Sequence, residues 1–379
     1  MFIISTLLIG AVLFVYTLWR LILPLPLRWW WKLLLCVPLG LGAFRYPLLY
    51  AIYGGHFFRP ACPIWLELLG SWLFISLLIL LGLLVVAEVA LLPLRLLQRR
   101  CSLFGRLRRG LLTLCAPAAL GLGAWGVYQA FLPPQVREIT IPLPRLGHPV
   151  RLAMLTDLHA DRFKQAEFFH DVVKRTNELH ADLVVITGDF EDGHVYALAP
   201  ALAPLRHLEA RWGIYAVDGN HDYFSGHDAW QRYLSKLGIR FLNNEHVLPG
   251  PGHLVLAGVT DPAAIRDDCP PPDVAKALAG RPADKPTVLL AHQPRLAREA
   301  ARHDVQLQLS GHTHGGHAPG LRHLIAAFND GLVQGLTAYH GLQVYISNGT
   351  SLWSGFPLRL FTPAEITLIH LIPDNKGYY

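Results

Sequence analysis

The first third of the sequence contains four long apolar stretches, and these constrain the fold more than any other feature. They occupy residues 2–23, 33–53, 68–92 and 111–132. Each is long enough for a membrane-spanning helix, which needs about 20 apolar residues. From about residue 135 the sequence changes to alternating charged and apolar segments. We therefore predict a membrane domain of four transmembrane helices over residues 1–134 and a globular domain over residues 135–379.

The distribution of Lys and Arg between the apolar stretches predicts how the membrane domain is oriented. The connection after the third stretch contains six arginines, and the connection after the first contains Arg20, Arg28 and Lys32. The connection between them contains Arg59 alone. Because basic connections face the cytoplasm, both chain ends and the globular domain are predicted to be extracytoplasmic. If one stretch did not cross the membrane, or if two stretches formed a single span, the globular domain would be predicted on the cytoplasmic face.

The net charge of +6 does not indicate a nucleic-acid partner, because the charge is unevenly distributed. Residues 1–134 contain eleven Lys and Arg against two Asp and Glu, and the rest contains twenty-two against twenty-five. The basic residues therefore belong to the membrane flanks, where anionic head groups attract them, and no basic patch for a phosphate backbone is predicted. Of the five cysteines, Cys269 alone lies in the globular part, and we predict that it is incidental.

The globular part is predicted to alternate strands with helices. Short runs rich in Val, Ile and Leu predict strands at residues 150–156, 183–187, 214–217, 254–259, 287–291 and 305–310. Helical spacing of apolar residues predicts helices at 165–179 and 228–237. A hairpin over 332–339 and 343–347 and a late strand at 365–371 make the second half more antiparallel than the first.

Five of the predicted strands end at short motifs that contain Asp, Asn or His. These motifs are Asp157-Leu158-His159, Gly188-Asp189, Gly219-Asn220-His221-Asp222, Ala291-His292 and Gly311-His312-Thr313-His314. Strand ends are where an α/β sheet builds its sites. Carboxylate and amide oxygens mixed with imidazoles suit Mn²⁺, Fe or Zn²⁺ better than Ca²⁺, which prefers oxygen alone. The motifs together therefore predict a metal site.

The order and spacing of the five motifs resemble the calcineurin-like dinuclear metallophosphoesterases over nearly all of residues 150–371. The apolar anchor, the block Gly188-Asp189-Phe190-Glu191-Asp192-Gly193 and the terminal Pro363-Ala364-Glu365-Ile366-Thr367-Leu368 are similar to the bacterial membrane-anchored branch. The resemblance implies an α/β fold, in which an N-terminal transmembrane helix bundle precedes an α/β/β/α sandwich of two mixed sheets flanked by helices. It also implies a multi-pass protein of a bacterial inner membrane.

The resemblance further implies a role for each motif. Two divalent ions are expected, one bound by Asp157, His159 and His314 and the other by Asn220, His292 and His312, with Asp189 bridging both. A hydroxide between the ions would attack phosphorus, and the catalytic His221 would protonate the leaving group or stabilise the transition state. Asp222 is the second catalytic candidate, either orienting His221 or capping its loop. Asp192 has either a structural or a direct role.

The implied activity is hydrolysis of phosphomonoesters or phosphodiesters, with an envelope or lipid-linked substrate favoured by the anchor. One alternative is a sugar-nucleotide lipid pyrophosphatase, which would need its site on the cytoplasmic face. A second is a non-catalytic membrane sensor or scaffold with a vestigial metal site, for which a broken ligand set would be the sign. No ligand motif in the sequence is broken.

Overall fold

A computed structural model describes residues 2–97 and 102–374 of the chain, which divide into two compact units. The first unit comprises Met1–Gln129 together with Gly355–Leu360, and the second comprises Ala130–Ser354 with Phe361–Tyr379. The first unit therefore includes a six-residue segment from far along the chain. Sequence reasoning had no signal for this segment, because the contacts that hold it are made with residues more than 200 positions away.

The first unit is helical throughout its apolar stretches. Its helices are α1 (Phe2–Thr17), α2 (Trp29–Ala43), α3 (Arg45–Tyr53), α4 (Ile64–Leu97) and α5 (Ser102–Ala130). Residues Leu18–Ile22 continue α1 as a π-helical turn, and the two-residue strands β1 (Gly55–His56) and β2 (Arg59–Pro60) pair antiparallel. Helices satisfy every backbone polar group within the segment, which is what an apolar environment demands.

Three helical spans among the described residues are long and apolar enough to cross a membrane, namely Ile3–Ile22, Ile64–Pro93 and Gly110–Ala130. The predicted second span is instead the pair α2 and α3, bent by 82° at their junction. Pro47 has no N–H to bond the carbonyl of Ala43, so one helical hydrogen bond is lost at this junction. This pair is either a broken span or a re-entrant loop, and the number of candidate spans is three or four.

Charged side chains inside the first unit have partners. The Arg45 side chain is 2% exposed and its Nη2 donates to the Gly355 carbonyl at 2.7 Å. The Tyr46 hydroxyl donates to the same carbonyl at 2.6 Å. Arg20 forms an ion pair with Glu88. These contacts hold the segment Gly355–Leu360 within the helical unit and satisfy charges that would be costly to leave unpaired.

The second unit contains two six-stranded mixed sheets among its described residues, 130–354 and 361–374. The first sheet has the order β3-β14-β4-β5-β6-β7, with strands β3 (Gln135–Leu143), β4 (Val150–Leu155), β5 (Leu183–Thr187), β6 (Ile214–Val217), β7 (Ile239–Phe241) and β14 (Glu365–Pro373). The second has the order β12-β13-β11-β10-β9-β8, with strands β8 (Glu245–Val247), β9 (Val255–Gly258), β10 (Thr287–Leu290), β11 (Leu307–Ser310), β12 (Gly335–Tyr339) and β13 (Leu342–Ile346).

Alternation along the strands packs the two sheets face to face. In β5, Leu183 and Val185 belong to the core between the sheets, whereas Val184 and Ile186 belong to the core beneath the outer helices. Successive side chains of a strand point to opposite faces, so a strand covered on both sides is apolar throughout. The helices that flank the sheets are α6 (Ala166–Asn177), α7 (Val195–Leu202), α8 (His227–Lys236), α9 (Val274–Leu278), α10 (Ala297–Ala300) and α11 (Pro319–Phe328).

The pairing of the strands confirms the α/β/β/α sandwich that the resemblance implies. Strands β4, β5 and β6 are parallel neighbours, and so are β9, β10 and β11. Their carboxyl ends therefore lie at one edge of each sheet. The hairpin of β12 and β13 and the antiparallel pairing of β14 with β4 supply the antiparallel part. Strand β3, which pairs parallel with β14, was not predicted.

Candidate metal centre

All five polar motifs follow the carboxyl ends of parallel strands. Asp157 and His159 follow β4, Asp189 follows β5, and the loop with Asn220 and His221 follows β6. In the second sheet, the remaining motifs follow β10 and β11. The two sheets pack through a shared core, and this brings together motifs that are far apart in the sequence. One example is the Asp157 carboxylate, which accepts the backbone N–H of His312, 155 residues away.

Most of the predicted ligands have an unusual backbone conformation. Left-handed φ angles occur at Asp157 (52°), His159 (44°), Asp189 (57°), His312 (70°) and His314 (48°). Such angles are uncommon for residues other than glycine and cost about 1–3 kcal/mol each. They persist only where surrounding structure determines them, and they concentrate at functional sites. Five of the fourteen non-glycine residues with positive φ in the described part of the chain are therefore predicted ligands.

Two glycines allow the loops after β5 and β6 to approach closely. Gly188 has φ of +89°, and a Cβ added there would lie 2.5 Å from the Gly219 nitrogen. A Cβ on Gly219 would in turn overlap the Asp189 carboxylate. Only a residue without a side chain fits this approach. The glycines of these two motifs thus serve packing beside the candidate ligands.

The first group of candidate ligands contains Asp157, His159 and His314, all buried. One ligand atom from each lies within 4.8 Å of the others. The Asp157 carboxylate also accepts the His312 N–H at 3.0 Å, which holds the β4 and β11 loops together. This group has the composition that the resemblance implies for one metal.

The second group contains Asp189, His292 and His312, again within 4.8 Å of one another. Asn220 belongs beside it, because its Oδ1 lies 3.2 Å from His292 Nε2. The other ring nitrogen, Nδ1, bonds the Thr187 carbonyl at 2.7 Å. With its proton on Nδ1, His292 leaves the lone pair of Nε2 for a cation that the oxygens of Asp189 and Asn220 would also bind. A backbone carbonyl commonly fixes a metal-binding imidazole in this way.

Asp189 lies between the two groups. Its Oδ2 is 3.2 Å from His292 Nε2 in the second group and 3.6 Å from His159 Nε2 in the first. Its Oδ1 accepts the His221 N–H at 2.8 Å. One carboxylate therefore contacts both clusters, which is the placement that a bridging ligand requires.

The donor set fits two divalent cations. The His159 side chain is fully buried, and its Nδ1 lies 3.2 Å from Asp192 Oδ2. Its Nε2 has no hydrogen-bond partner among the described residues. Buried polar groups without partners are rare, and each points to a missing ligand or a functional role. Imidazole and carboxylate donors of this mixture suit Zn²⁺, Mn²⁺ or Fe. His159 Nε2 therefore lies where a cation would satisfy it.

His221 is oriented by Asp192. Its Nδ1 lies 2.7 Å from Asp192 Oδ1, and the other oxygen of the same carboxylate is 3.2 Å from His159 Nδ1. Asp192 thus holds a candidate catalytic residue and a candidate ligand at once. Sequence reasoning left its role open between structural and direct. The sequence feature that pointed to Asp192 was the presence of a second carboxylate three residues after Asp189.

Asp222, predicted as a catalytic residue, caps its loop in the structure and does not orient His221. Its carboxylate accepts the backbone N–H groups of Asp189 at 3.0 Å, Phe190 at 2.8 Å and Gly219 at 2.6 Å. These three donors use its oxygens and tie the β5 loop to the β6 loop. Of the two alternatives, the structure favours the capping role.

Electrostatics within the centre follow these contacts. Burial lowers the pKa of His221, but the carboxylates of Asp189 and Asp192 outweigh burial and raise it to about 9. Burial would raise the pKa of Asp192, yet His159 and His221 hold it well below its usual value. Burial and then the charge of His292 lower the pKa of His312 to about 3, so its ring is neutral, as a metal ligand must be.

The residues around His221 are aromatic. Its ring centroid is 5.5 Å from that of Trp353 and 5.9 Å from that of Phe224, which is half exposed. The Arg266 guanidinium lies 5.1 Å from the Phe224 ring centroid. His194 is exposed, and its Nδ1 lies 3.2 Å from the Ser225 carbonyl oxygen.

His317 contacts the edge of the centre. Its ring centroid is 5.3 Å from that of His314, and its carbonyl accepts the Thr362 hydroxyl at 3.1 Å. It has a left-handed φ of 58°. His317 is therefore adjacent to a candidate ligand, although it belongs to neither ligand group.

Known proteins share this combination of motifs. The family description for calcineurin-like phosphoesterases matches residues 150–316. A metallophosphoesterase of Helicobacter pylori strain J99 is 35% identical over 262 residues, covering 69% of this chain and 70% of that protein. A Danio rerio transmembrane protein with a metallophosphoesterase domain is 35% identical over 280 residues, covering 70% and 63%. An Aquifex aeolicus metallophosphoesterase is 30% identical over 264 residues, covering 68% and 98%.

The chain belongs to the calcineurin-like phosphoesterase family. It is a metal-dependent phosphoesterase, a class of hydrolase that uses two divalent metal ions, and its Asp and His groups are of the kind that bind them.

Proposed function

We propose that this protein is a membrane-anchored phosphohydrolase that cleaves phosphomonoesters or phosphodiesters of envelope or lipid-linked substrates. The observation that carries the proposal is the position of Asp189, whose Oδ2 lies 3.2 Å from one histidine group and 3.6 Å from the other. Two adjacent cation sites sharing a carboxylate suit phosphoryl transfer, because two bound ions can offset charge on both the attacking and the leaving oxygen.

The assignment of ligands in this proposal follows the two groups. Asp157, His159 and His314 would hold one ion, Asn220, His292 and His312 the other, and Asp189 both. When bound, the ions supply positive charge for phosphoryl oxygens and lower the pKa of a water molecule. Manganese, iron and zinc all suit these donors, so the metal is to be measured.

His221 would act on the leaving group. Because Asp192 Oδ1 binds its Nδ1 at 2.7 Å, the ring is held in one orientation and its Nε2 remains available to donate a proton to the departing oxygen. A carboxylate behind an imidazole fixes its tautomer and strengthens its basicity. Asp222 would keep the loop in place through its three backbone bonds.

Membrane anchoring is supported by the exposed faces of the first unit. Ile4, Leu8, Val12 and Leu114 are all more than half exposed, and Trp29, Trp30 and Trp31 are exposed at the start of α2. Soluble proteins rarely expose apolar surface on this scale. Tryptophans concentrate at the two membrane interfaces. A lipid environment would cover both features.

The side of the membrane on which we propose that the second unit lies depends mainly on the orientation of one candidate span. Six arginines precede or begin the candidate span Gly110–Ala130, which leads directly into the second unit. If this basic connection is cytoplasmic, the span ends outside, and the second unit lies there. Whether the α2–α3 pair crosses or re-enters then changes only the side of the amino terminus. The membrane proposed is the inner membrane of a bacterium, which the Helicobacter pylori relative supports.

A reporter fused to the carboxyl terminus tests the orientation. We expect alkaline phosphatase, which is active only outside the cytoplasm, to be active in this fusion, and a fluorescent protein that folds only in the cytoplasm to be dark. The opposite pattern would reverse the orientation. It would also favour a sugar-nucleotide lipid pyrophosphatase with a cytoplasmic site over an envelope phosphoesterase.

The substrate class is tested on the detergent-solubilised protein. Metal content is measured first, and hydrolysis is then compared for soluble phosphomonoesters, soluble phosphodiesters and lipid phosphates in one detergent. We expect kcat/KM to be highest for a lipid-linked phosphoester, because the aromatic rings of Trp353 and Phe224 beside His221 offer apolar contact. Equal values for soluble and lipid substrates would contradict the lipid-linked class.

Asp189→Asn tests the ligand assignment. We expect it to lose bound metal and more activity than the roughly 10–100-fold that loss of an outer-shell partner costs. His170→Ala is the matched control, because His170 is an exposed histidine on α6. Full metal content in Asp189→Asn would contradict its bridging role.

A further inference from the structure

A second cluster of metal-binding side chains lies outside the candidate dinuclear centre. His227 and Asp228 begin α8, and Cys269 follows a 3₁₀ turn at Pro262–Asp267. One ligand atom from each of the three lies within 4.8 Å of the others. We infer that His227, Asp228 and Cys269 form a separate, mononuclear site for a divalent cation of the zinc class.

The distances fit tetrahedral coordination. Zinc bonds sulfur at about 2.3 Å and nitrogen or oxygen at about 2.0–2.1 Å, so tetrahedral geometry places S and N about 3.6 Å apart and N and O about 3.3 Å apart. Here Cys269 Sγ lies 3.9 Å from His227 Nδ1, and Asp228 Oδ1 lies 3.3 Å from the same nitrogen. The third pair, Cys269 Sγ and the Asp228 carboxylate, lies within 4.8 Å, so the three ligands would have to draw together around the ion and would leave a fourth position for water.

Asp218 prepares the imidazole for this role. Its Oδ2 lies 3.1 Å from His227 Nε2 and also accepts from Gln231 Nε2 at 2.9 Å and the Tyr223 hydroxyl at 3.3 Å. A proton on Nε2 leaves the lone pair of Nδ1 directed toward Asp228 and Cys269. A buried carboxylate behind a metal-binding histidine is the usual supporting arrangement, and Asp218 is 1% exposed.

The surroundings of the thiol favour a cation. The carboxylates of Asp228, Asp267, Asp218 and Asp268 all lie near this thiol. Their negative field attracts a divalent ion, and a coordinated thiol loses its proton to solvent.

The site would stabilise the loop that carries His221. Asp218 directly precedes Gly219-Asn220-His221 in the sequence, and the Tyr223 ring stacks on His227 with centroids 4.3 Å apart. A cation bound by His227, Asp228 and Cys269 would join the start of α8 to the 3₁₀ turn behind this loop. Its role is structural, because none of its three ligands belongs to the candidate dinuclear centre.

Cobalt reports thiolate ligation directly. Full-length protein in detergent and reductant is stripped of metal and titrated with Co²⁺. A thiolate bound to Co²⁺ produces an intense near-ultraviolet charge-transfer band, which the sulfur-free dinuclear centre cannot produce. We expect the band in the wild type and in Asp189→Asn, and its loss in Cys269→Ser. Cys36→Ser, which removes a thiol from α2, is the matched control and is expected to keep the band.

Metal content supplies the second measurement. With Zn²⁺, we expect Cys269→Ser to bind one equivalent less than the wild type, and Asp228→Asn to weaken that equivalent by at least about 10-fold. Asp228 is well exposed, so its substitution leaves the fold intact even if Cys269→Ser does not. The proposed site would be wrong if wild-type protein shows no band and if Cys269→Ser and Asp228→Asn bind as much zinc as the wild type. His227 would then be a protonated imidazole paired with two carboxylates.

Discussion

In the first unit the exposed side chains are largely apolar, whereas in the second unit the apolar side chains are inside. Val12 on α1 is 58% exposed, and Arg45 in the same unit is 2% exposed. In the second unit every residue of β5 is buried, and polar groups are buried mainly where strands end. The difference teaches that the two units suit different surroundings, because exposed apolar surface is stable against lipid and unstable against water.

Buried polar groups also behave differently in the two units. In the first, Arg45 and Tyr46 share the Gly355 carbonyl, so their bonds hold the structure together. In the second, Nε2 of the buried His159 has no hydrogen-bond partner among the described residues, and several candidate ligands have strained backbone angles. The first arrangement is structural. In the second unit, strained backbone angles and a ring nitrogen without a partner are the features expected of a ligand-binding site.

The largest expected effect is on catalysis in the second unit. His221→Ala should lower kcat by about 10²–10⁴-fold, the usual contribution of a general acid or base, while metal content stays at the wild-type value. Elemental analysis and steady-state kinetics on the same preparation check both parts. Loss of metal together with turnover would show that His221 is a ligand and not a proton donor.

A charge on an exposed apolar position distinguishes the two solvents. Val12→Lys, near the middle of the candidate span Ile3–Ile22, should disfavour insertion by about 2.5–3.5 kcal/mol. Leu336→Lys on the edge strand β12, where the residue is 45% exposed, should change stability by less than about 0.5 kcal/mol. The membrane-bound fraction after alkaline extraction and the thermal unfolding midpoint measure these effects. If both substitutions had equally small effects, the two units would not differ in how they tolerate a charge at an exposed position.

Asp192 and Asp222 separate orientation from loop capping. Asp192→Asn should lower metal affinity or kcat by about 10–100-fold with little change in the unfolding midpoint, because it contacts His221 and His159. Asp222→Ala leaves three backbone N–H groups unpaired and should mainly lower stability, at about 1–3 kcal/mol for each buried donor left unsatisfied. Thermal unfolding and kinetics of both variants decide the matter, and the reverse pattern would restore Asp222 as the orienting residue.

The smallest expected effect lies in the first unit. Tyr46→Phe removes one of the two bonds to the Gly355 carbonyl, and such bonds between membrane helices contribute about 0.6 kcal/mol on average. We expect a slight increase in proteolysis of the segment Gly355–Leu360, with Tyr53→Phe, an exposed tyrosine on α3, as control. A large loss of stability would mean that the first unit depends on its buried polar contacts more than membrane helices usually do.

Local patterns predicted much of the fold. Strand β5 has the predicted limits, β4 and β10 end one residue earlier than predicted, and α6 lies within its predicted range. Strand β3 was missed, because its exposed edge position leaves only weak apolar alternation in Gln135–Leu143. The predicted second span is bent by 82° between α2 and α3, a change of direction that the hydropathy of the segment does not report.

The sequence by itself determined the features that depend on neighbouring residues: the apolar stretches, the strands, and the five motifs at their ends. Tertiary structure decided which distant groups meet. It placed Asp192 and not Asp222 against His221, brought the isolated Cys269 beside His227, and joined Gly355–Leu360 to the helical unit. The physical reason is that a motif reports the chemistry and local conformation of its own residues, whereas the partner of a side chain depends on how sheets and loops pack across long separations.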